Sequence, residues 1–157
     1  MKKFYLMAAV AMMAAMCMSV MSCADAEEGE NSADWKLRNT INGPAWHVDM
    51  LKDSNGKWLR WEEALIFYFD VKFSANNHNF KSEKFYYVDG MGDDTTRERY
   101  SEENNTAYAI KDAKIIEATV DGNPYFRITL HKEVTSSMEC TLYFYKENKA
   151  YEVIMTR

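Results

Sequence analysis

The alternation of apolar and polar side chains predicts a chain of strands. The clearest run is 64–74, where Phe67, Phe69, Val71 and Phe73 share one face and Tyr68, Asp70, Lys72 and Ser74 the other. Before it, 45–52 alternates with Trp46, Val48 and Met50 against His47, Asp49 and Leu51. Asp53-Ser54-Asn55-Gly56 then signals a hairpin into 57–61, which carries Trp58 and Trp61. A turn at Ala75-Asn76-Asn77-His78-Asn79 returns the chain as 80–88, with Phe80, Phe85 and Tyr87. The last third repeats the pattern five times, at 106–110, 114–120, 124–131, 138–145 and 150–156, with Asp121-Gly122-Asn123 and other short polar clusters between. Residues 35–40 are short and mixed, spaced as a strand or a single helical turn. No apolar period of 3.6 outlasts one turn from Ala45 onward. Eight or nine strands without a crossover helix predict an all-β antiparallel meander that closes into a barrel, with a flat sandwich or an open meander sheet as the alternatives.

The segment 89–105 breaks this rhythm. It is long, polar and carries two Gly, so it is either a flexible loop or a loop holding a short strand near 97–100, and such a loop is where function is often placed. Asp94-Thr95-Thr96 within it is similar to a short bacterial O-glycosylation acceptor. Several strands carry apolar residues on both faces, as at Tyr125/Phe126 and Ile115/Ile116. Either part of the outer wall is covered, or the protein offers an adhesive face to a partner.

The first residues do not belong to this pattern. Lys2 and Lys3 precede an apolar stretch rich in Met and Ala, the layout of a secretory signal over 1–22. It ends at Val20-Met21-Ser22-Cys23, which resembles the bacterial lipobox. That resemblance implies cleavage before Cys23 and acylation of Cys23, and so a partner in the lipid bilayer. Cys17 is the rival acceptor, but Met16 before it is larger than the usual small residue. The alternatives are a plain secretory signal with an incidental Cys, or a transmembrane helix. Residues 23–34 then read as the lipidated Cys and an acidic, solvated tether, and 35–157 as one barrel domain. The acidic cluster after Cys23 resembles the surface-export signal of Bacteroidota-type lipoproteins, which implies an outer-membrane lipoprotein, facing either the cell surface or the periplasm.

Net charge is −5, with 24 acidic against 19 basic side chains, which argues against nucleic acid as a partner. Of three Cys, one lies in the signal and one is the acylation candidate. Cys140 remains, placed on a strand as a small buried residue rather than a nucleophile.

Gly43-Pro44-Ala45-Trp46, the Phe-rich strand before a polar hairpin, the closing five-strand meander and Arg157 together resemble the lipocalin-like (calycin) families, especially their small lipoproteins of unknown function. Gly43 stands three residues before Trp46, where the usual motif has two. The resemblance implies that Trp46 is packed by Arg157.

No catalytic constellation survives inspection. His47, His78 and His131 have no metal-ligand spacing, and the Glu62-Glu63 and Asp93-Asp94 pairs suit exposed loops. There is no nucleophile elbow, phosphate loop or dinucleotide fingerprint, so the expectation is a non-enzyme with no cofactor and no metal. The aromatic excess is the informative feature. Trp58, Trp61, Phe67, Phe69, Phe85, Tyr87, Phe126 and Tyr151 are candidates to line a site for a small hydrophobic ligand in or at the mouth of the barrel. The competing reading has most of them filling a solid core, with Trp58 and Trp61 facing a glycan or an envelope protein. A hollow barrel favours the first; a filled barrel with an exposed Trp patch favours the second.

Overall fold

The computed structural model describes residues 30–157, of which 31–157 form one unit. The expected signal at 1–22, Cys23 and most of the tether lie outside the described residues. Among the described residues no helix is long and apolar enough to cross a membrane.

Helix α1, Ser32–Ile41, opens the unit. Asn31 caps it, its side-chain oxygen accepting from the Ala33 and Asp34 amides at 3.0 and 2.9 Å. Asp34, expected in the tether, is instead buried, and its carboxylate accepts a hydrogen bond from the Ala113 amide. Of the two readings of 35–40, a strand or a single helical turn, the helical one holds, and the helix runs longer than one turn. Its apolar positions Leu37 and Ile41 are four apart, too few for sequence periodicity to reveal, yet they face the core together.

Eleven strands follow: β1 Ala45–Lys52, β2 Trp58–Arg60, β3 Phe67–Ser74, β4 Asn79–Val88, β5 Met91–Gly92, β6 Glu98–Tyr100, β7 Thr106–Lys111, β8 Ile115–Val120, β9 Asn123–Leu130, β10 Ser137–Phe144 and β11 Lys149–Thr156. A one-turn helix α2, Trp61–Ala64, separates β2 from β3. Nine strands form a path β5-β4-β3-β1-β11-β10-β9-β8-β7, with β2 paired to β1 and β6 to β4. All these pairings are antiparallel, so the meander expected from the alternation is the observed fold, curled into a barrel-like sheet. The two flanks of the curl meet where Tyr108 N donates to His78 O at 2.9 Å. There the Thr106 hydroxyl also donates to Phe80 O at 2.7 Å. Segment 89–105 supplies β5 and β6 and covers the rest of the exposed β4 edge.

Two bulges correct the expected faces. In β1 the register to β11 slips between Val48 and Met50, so Leu51 rather than Met50 joins Trp46 and Val48 in the core. In β9 the register to β8 slips after Ala118, and Tyr125 and Phe126 both turn inward. That explains one of the two-faced apolar pairs.

The interior is filled by rings. Phe67, Phe69, Phe73, Phe80, Phe126 and Phe144 are each at most 1% exposed. Phe69 meets Phe126 and Phe144 edge-on at 5.3 and 5.2 Å, and Phe80 meets Phe126 at 5.3 Å. At one end α1 closes the barrel. Trp46 Nε1 donates to Ile41 O at 3.0 Å, Arg157 donates to Thr40 O at 3.0 Å, and the Arg157 guanidinium lies 5.1 Å over the Trp46 ring. The last carbonyls of the helix are thus satisfied by β1 and by the residue after β11.

Candidate functional site

Strand alternation sorts the eight aromatic candidates into separate places. Phe67, Phe69 and Phe126 are fully buried core residues, and Tyr151 points inward beside Phe67 at 4.6 Å. Trp58 sits on β2 under the Lys52 ammonium, 5.3 Å from its ring. Phe85 and Tyr87 lie outside the barrel, because the inward positions of β4 are Phe80, Ser82, Lys84 and Tyr86, and Trp61 on α2 is partly buried against the edge of the core. The eight therefore do not line one cavity. The inward face of β4 contains a Ser and a Lys, which made the outward Phe85 and Tyr87 look like the core side.

The outer group builds one site. Trp61, held on α2, stacks on Tyr87 at 6.3 Å and meets Tyr68 edge-on at 6.1 Å. Tyr68 stacks on Phe85 at 5.0 Å, and the Arg97 guanidinium covers the Phe85 ring at 4.7 Å. Tyr68 O–H donates to Asp70 at 2.9 Å, and burial together with that bond pushes its phenol up to about 12. Around these rings stand Leu65 (40% exposed), Ile66 (41%), Val88 (55%) and Met91 (76%). Val88 pairs with Met91 across the β4–β5 turn, and the Leu65 side chain reaches Gly90. By strand alternation Val88 and Met91 lie on the face opposite Phe85 and Tyr87, so the exposed apolar residues wrap the end of the sheet rather than extend the ring cluster. Leu65 also adopts a left-handed backbone, with φ 45° and ψ 40°. A γ-branched apolar residue is unfavourable in both that conformation and that exposure. Exposed Glu62, Glu63 and Asp89 give this end an acidic rim, while Asp94 is paired with Arg97 at 2.9 Å.

The second constellation lies inside the barrel, at the end away from α1. Lys84 is fully buried on β4. Its ammonium is 2.6 Å from Glu147, in the β10–β11 turn, and 2.8 Å from Glu98 on β6. It also lies 4.5 Å over the Phe144 ring and 5.5 Å from the rings of Tyr86 and Tyr125. Glu98 is clamped a second time by Lys146 at 2.6 Å. Burial pulls the Glu98 carboxyl upward, but the hydrogen bonds from Lys146 and Lys84 outweigh it and hold its pKa below the ordinary 4.5. Burial drives the Tyr86 and Tyr125 phenols well above their usual range, and nearby carboxylates add to it. The Tyr86, Tyr125 and Tyr151 hydroxyls and Glu147 Oε2 are buried without a hydrogen-bond partner. Sequence reading missed Lys84, Glu98 and Glu147. Each looks like an ordinary surface charge, and they meet only in the fold.

The remaining candidates stay apart. His47 contacts Thr156, His78 contacts Arg38, and His131 contacts Thr141 and Glu152. Among the described residues no three His, Cys, Asp or Glu are grouped to hold a metal. Cys140 is buried in the core, and burial pushes its thiol up to about 12, far from a nucleophile. Compared with models of known families, with curated proteins and with solved structures, the chain matches none of them.

Proposed function

We propose that this chain is a non-catalytic binding module, a lipocalin-like barrel tethered to the outer membrane through acylated Cys23. Its working surface is the outer face of β3 and β4 rather than the barrel interior. The observation that carries this reading is Leu65, an exposed leucine held in a left-handed conformation at the end of the sheet where Ile66, Val88 and Met91 are also exposed. Strain and exposure combined at one residue cost stability, and the bond from Leu65 N–H to Trp61 O that closes α2 would be made as well by a glycine. They become useful when the side chain enters a pocket. The contact of Trp46 with Arg157 supports the lipocalin-like part of the reading. A lipocalin-type ligand cavity is disfavoured by the rings that occupy the interior.

The occupant that fits is an envelope protein presenting an apolar pocket ringed by basic groups. An anionic lipid surface is repelled by the rim of Glu62, Glu63 and Asp89. A photo-activatable residue placed at Met91 in cells should give a discrete protein adduct, and one at exposed Ala109, on β7, should not. Leu65→Gly removes the apolar side chain while suiting the backbone, so stability should change by less than about 1 kcal/mol. The adduct, by contrast, should fall about thirtyfold, as for loss of a central interface residue. Equal adducts at Met91 and Ala109, or an adduct indifferent to Leu65→Gly, would sink the proposal.

A further inference from the structure

The Lys84 constellation has the parts for a covalent reaction within the chain. We infer that the Lys84 amine and the Glu147 carboxyl condense to an amide, cross-linking β4 to the β10–β11 turn, with Glu98 as the proton carrier.

Proximity is the first argument. Lys84 Nζ is 2.6 Å from Glu147 Oε1, which puts the carboxyl carbon one bond beyond, close to the roughly 3–3.5 Å of a near-attack pair. Both groups are fixed by the fold, since Lys84 is fully buried and surrounded by Phe144, Tyr86 and Tyr125. Effective molarities of about 10⁵–10⁸ M for such fixed pairs favour amide formation that free amine and carboxylate in water do not undergo.

The second argument is that the two carboxylates are unequal. Glu98 receives two ammonium groups, Lys84 and Lys146, and so remains ionised. Among the described residues Glu147 pairs with Lys84 alone. The 2.6 Å hydrogen bond from Lys84 Nζ to Glu147 Oε1 is the path by which the proton passes, leaving an amine beside a carboxylic acid for the reaction. Glu147 is therefore the acyl donor and Glu98 the base.

The step balances. The Lys84 nitrogen lone pair attacks the Glu147 carboxyl carbon, forming the C–N bond and a tetrahedral intermediate. Glu98 takes the proton from that nitrogen and delivers it to the departing hydroxyl as the C–O bond breaks. The products are a secondary amide and one water, and Glu98 is unchanged. Phe144 and Tyr125 keep bulk water from the amine, while the partly exposed Glu147 side chain, 22%, gives the released water an exit.

The test reads the covalent structure of the full chain isolated from cells, unfolded and digested with trypsin. A cross-link blocks cleavage after Lys84, so the peptide 82–97 should appear joined to 147–149, lighter than their sum by one water. Recovery of separate 85–97 and 147–149 peptides in full yield would overturn the inference. So would a water loss located at Asp89-Gly90 or Asp121-Gly122, where a succinimide forms, or a link from Lys84 to Glu98. The variant Glu98→Gln separates reaction from mere proximity, since it leaves donor and acceptor in place. It should slow cross-linking about a hundredfold. An undiminished rate in a folded Glu98→Gln chain would remove Glu98 from the mechanism and overturn the assigned roles.

Discussion

Replacing Trp46 with Ala is expected to lower the unfolding free energy by about 3–5 kcal/mol, the range for truncating a fully buried aromatic. The residue has no exposed surface and links three parts of the chain. Its indole N–H satisfies Ile41 O at the end of α1, and its ring carries the Arg157 guanidinium. Arg157 in turn satisfies Thr40 O. Loss of the ring therefore opens a core cavity and also frees the C-terminal end of α1. Trp46→Phe separates the two effects. It keeps most of the apolar contact but leaves Ile41 O without its donor, at a cost of about 1–3 kcal/mol. Urea unfolding gives the two stabilities, and hydrogen exchange along α1 reports whether the helix undocks. A Trp46→Ala protein within 1 kcal/mol of the parent, with α1 still protected, would contradict this account of the closed end.

The second large effect falls at Lys84. Against a parent chain in which Lys84 and Glu147 have not condensed, Lys84→Met leaves Glu98 and Glu147 in a largely buried site without the ammonium, and removing one partner of such a cluster typically costs about 3–5 kcal/mol. The carboxylates, rather than the lost packing, cause the damage. Replacing all three residues together, as Lys84→Met with Glu98→Leu and Glu147→Leu, should therefore recover most of the loss. Failure of that recovery would mean that the ammonium, or a covalent link through it, stabilises the barrel beyond charge pairing. The pH dependence has a definite sign. The folded-state pKa of Glu98 lies below its ordinary 4.5, so its contribution is complete above that value. It is lost as pH falls through the depressed folded value. Acid should narrow the gap between the parent and Lys84→Met, because protonating the carboxylates weakens the parent's ion pairs and relieves the variant's repulsion.

How far these features could be read in advance depends on where their partners lie in sequence. The alternation in β3 and β10 is local, and both strands were legible within a few residues of their observed bounds. The short strand β6 within the polar segment was also legible. Helix α1 was legible only as one of two alternatives for 35–40 and not in its length, since two inward apolar residues give almost no period. The bulges in β1 and β9 were invisible because an inserted residue changes the face without changing composition. Lys84 was the hardest case. A lysine on the inward face of a strand contradicts every pattern rule until Glu98 and Glu147 are known to meet it. The outer patch was half legible: Trp61 was singled out for it, while Phe85 and Tyr87 were assigned to the wrong side of the wall.

Strand β1 lies between β3, close to it in sequence, and β11, with His47 meeting Thr156 across 109 positions. The hairpins β3–β4, β7–β8 and β10–β11 require only short loop closures, and β1 is the piece that joins distant parts of the chain. Closing so long a loop is an entropic cost met before its contacts form, so β1 is expected to dock late, after the local hairpins. In stopped-flow refolding, core mutations in β1 should leave the folding rate almost unchanged and accelerate unfolding, as expected of a strand that docks after the rate-limiting step. A β1 mutation that slowed folding in proportion to its destabilisation would instead place that strand in the nucleus. Until β1 docks, the Phe-rich face of β3 stands uncovered, and the like charges of an acidic chain are what keep two such intermediates apart.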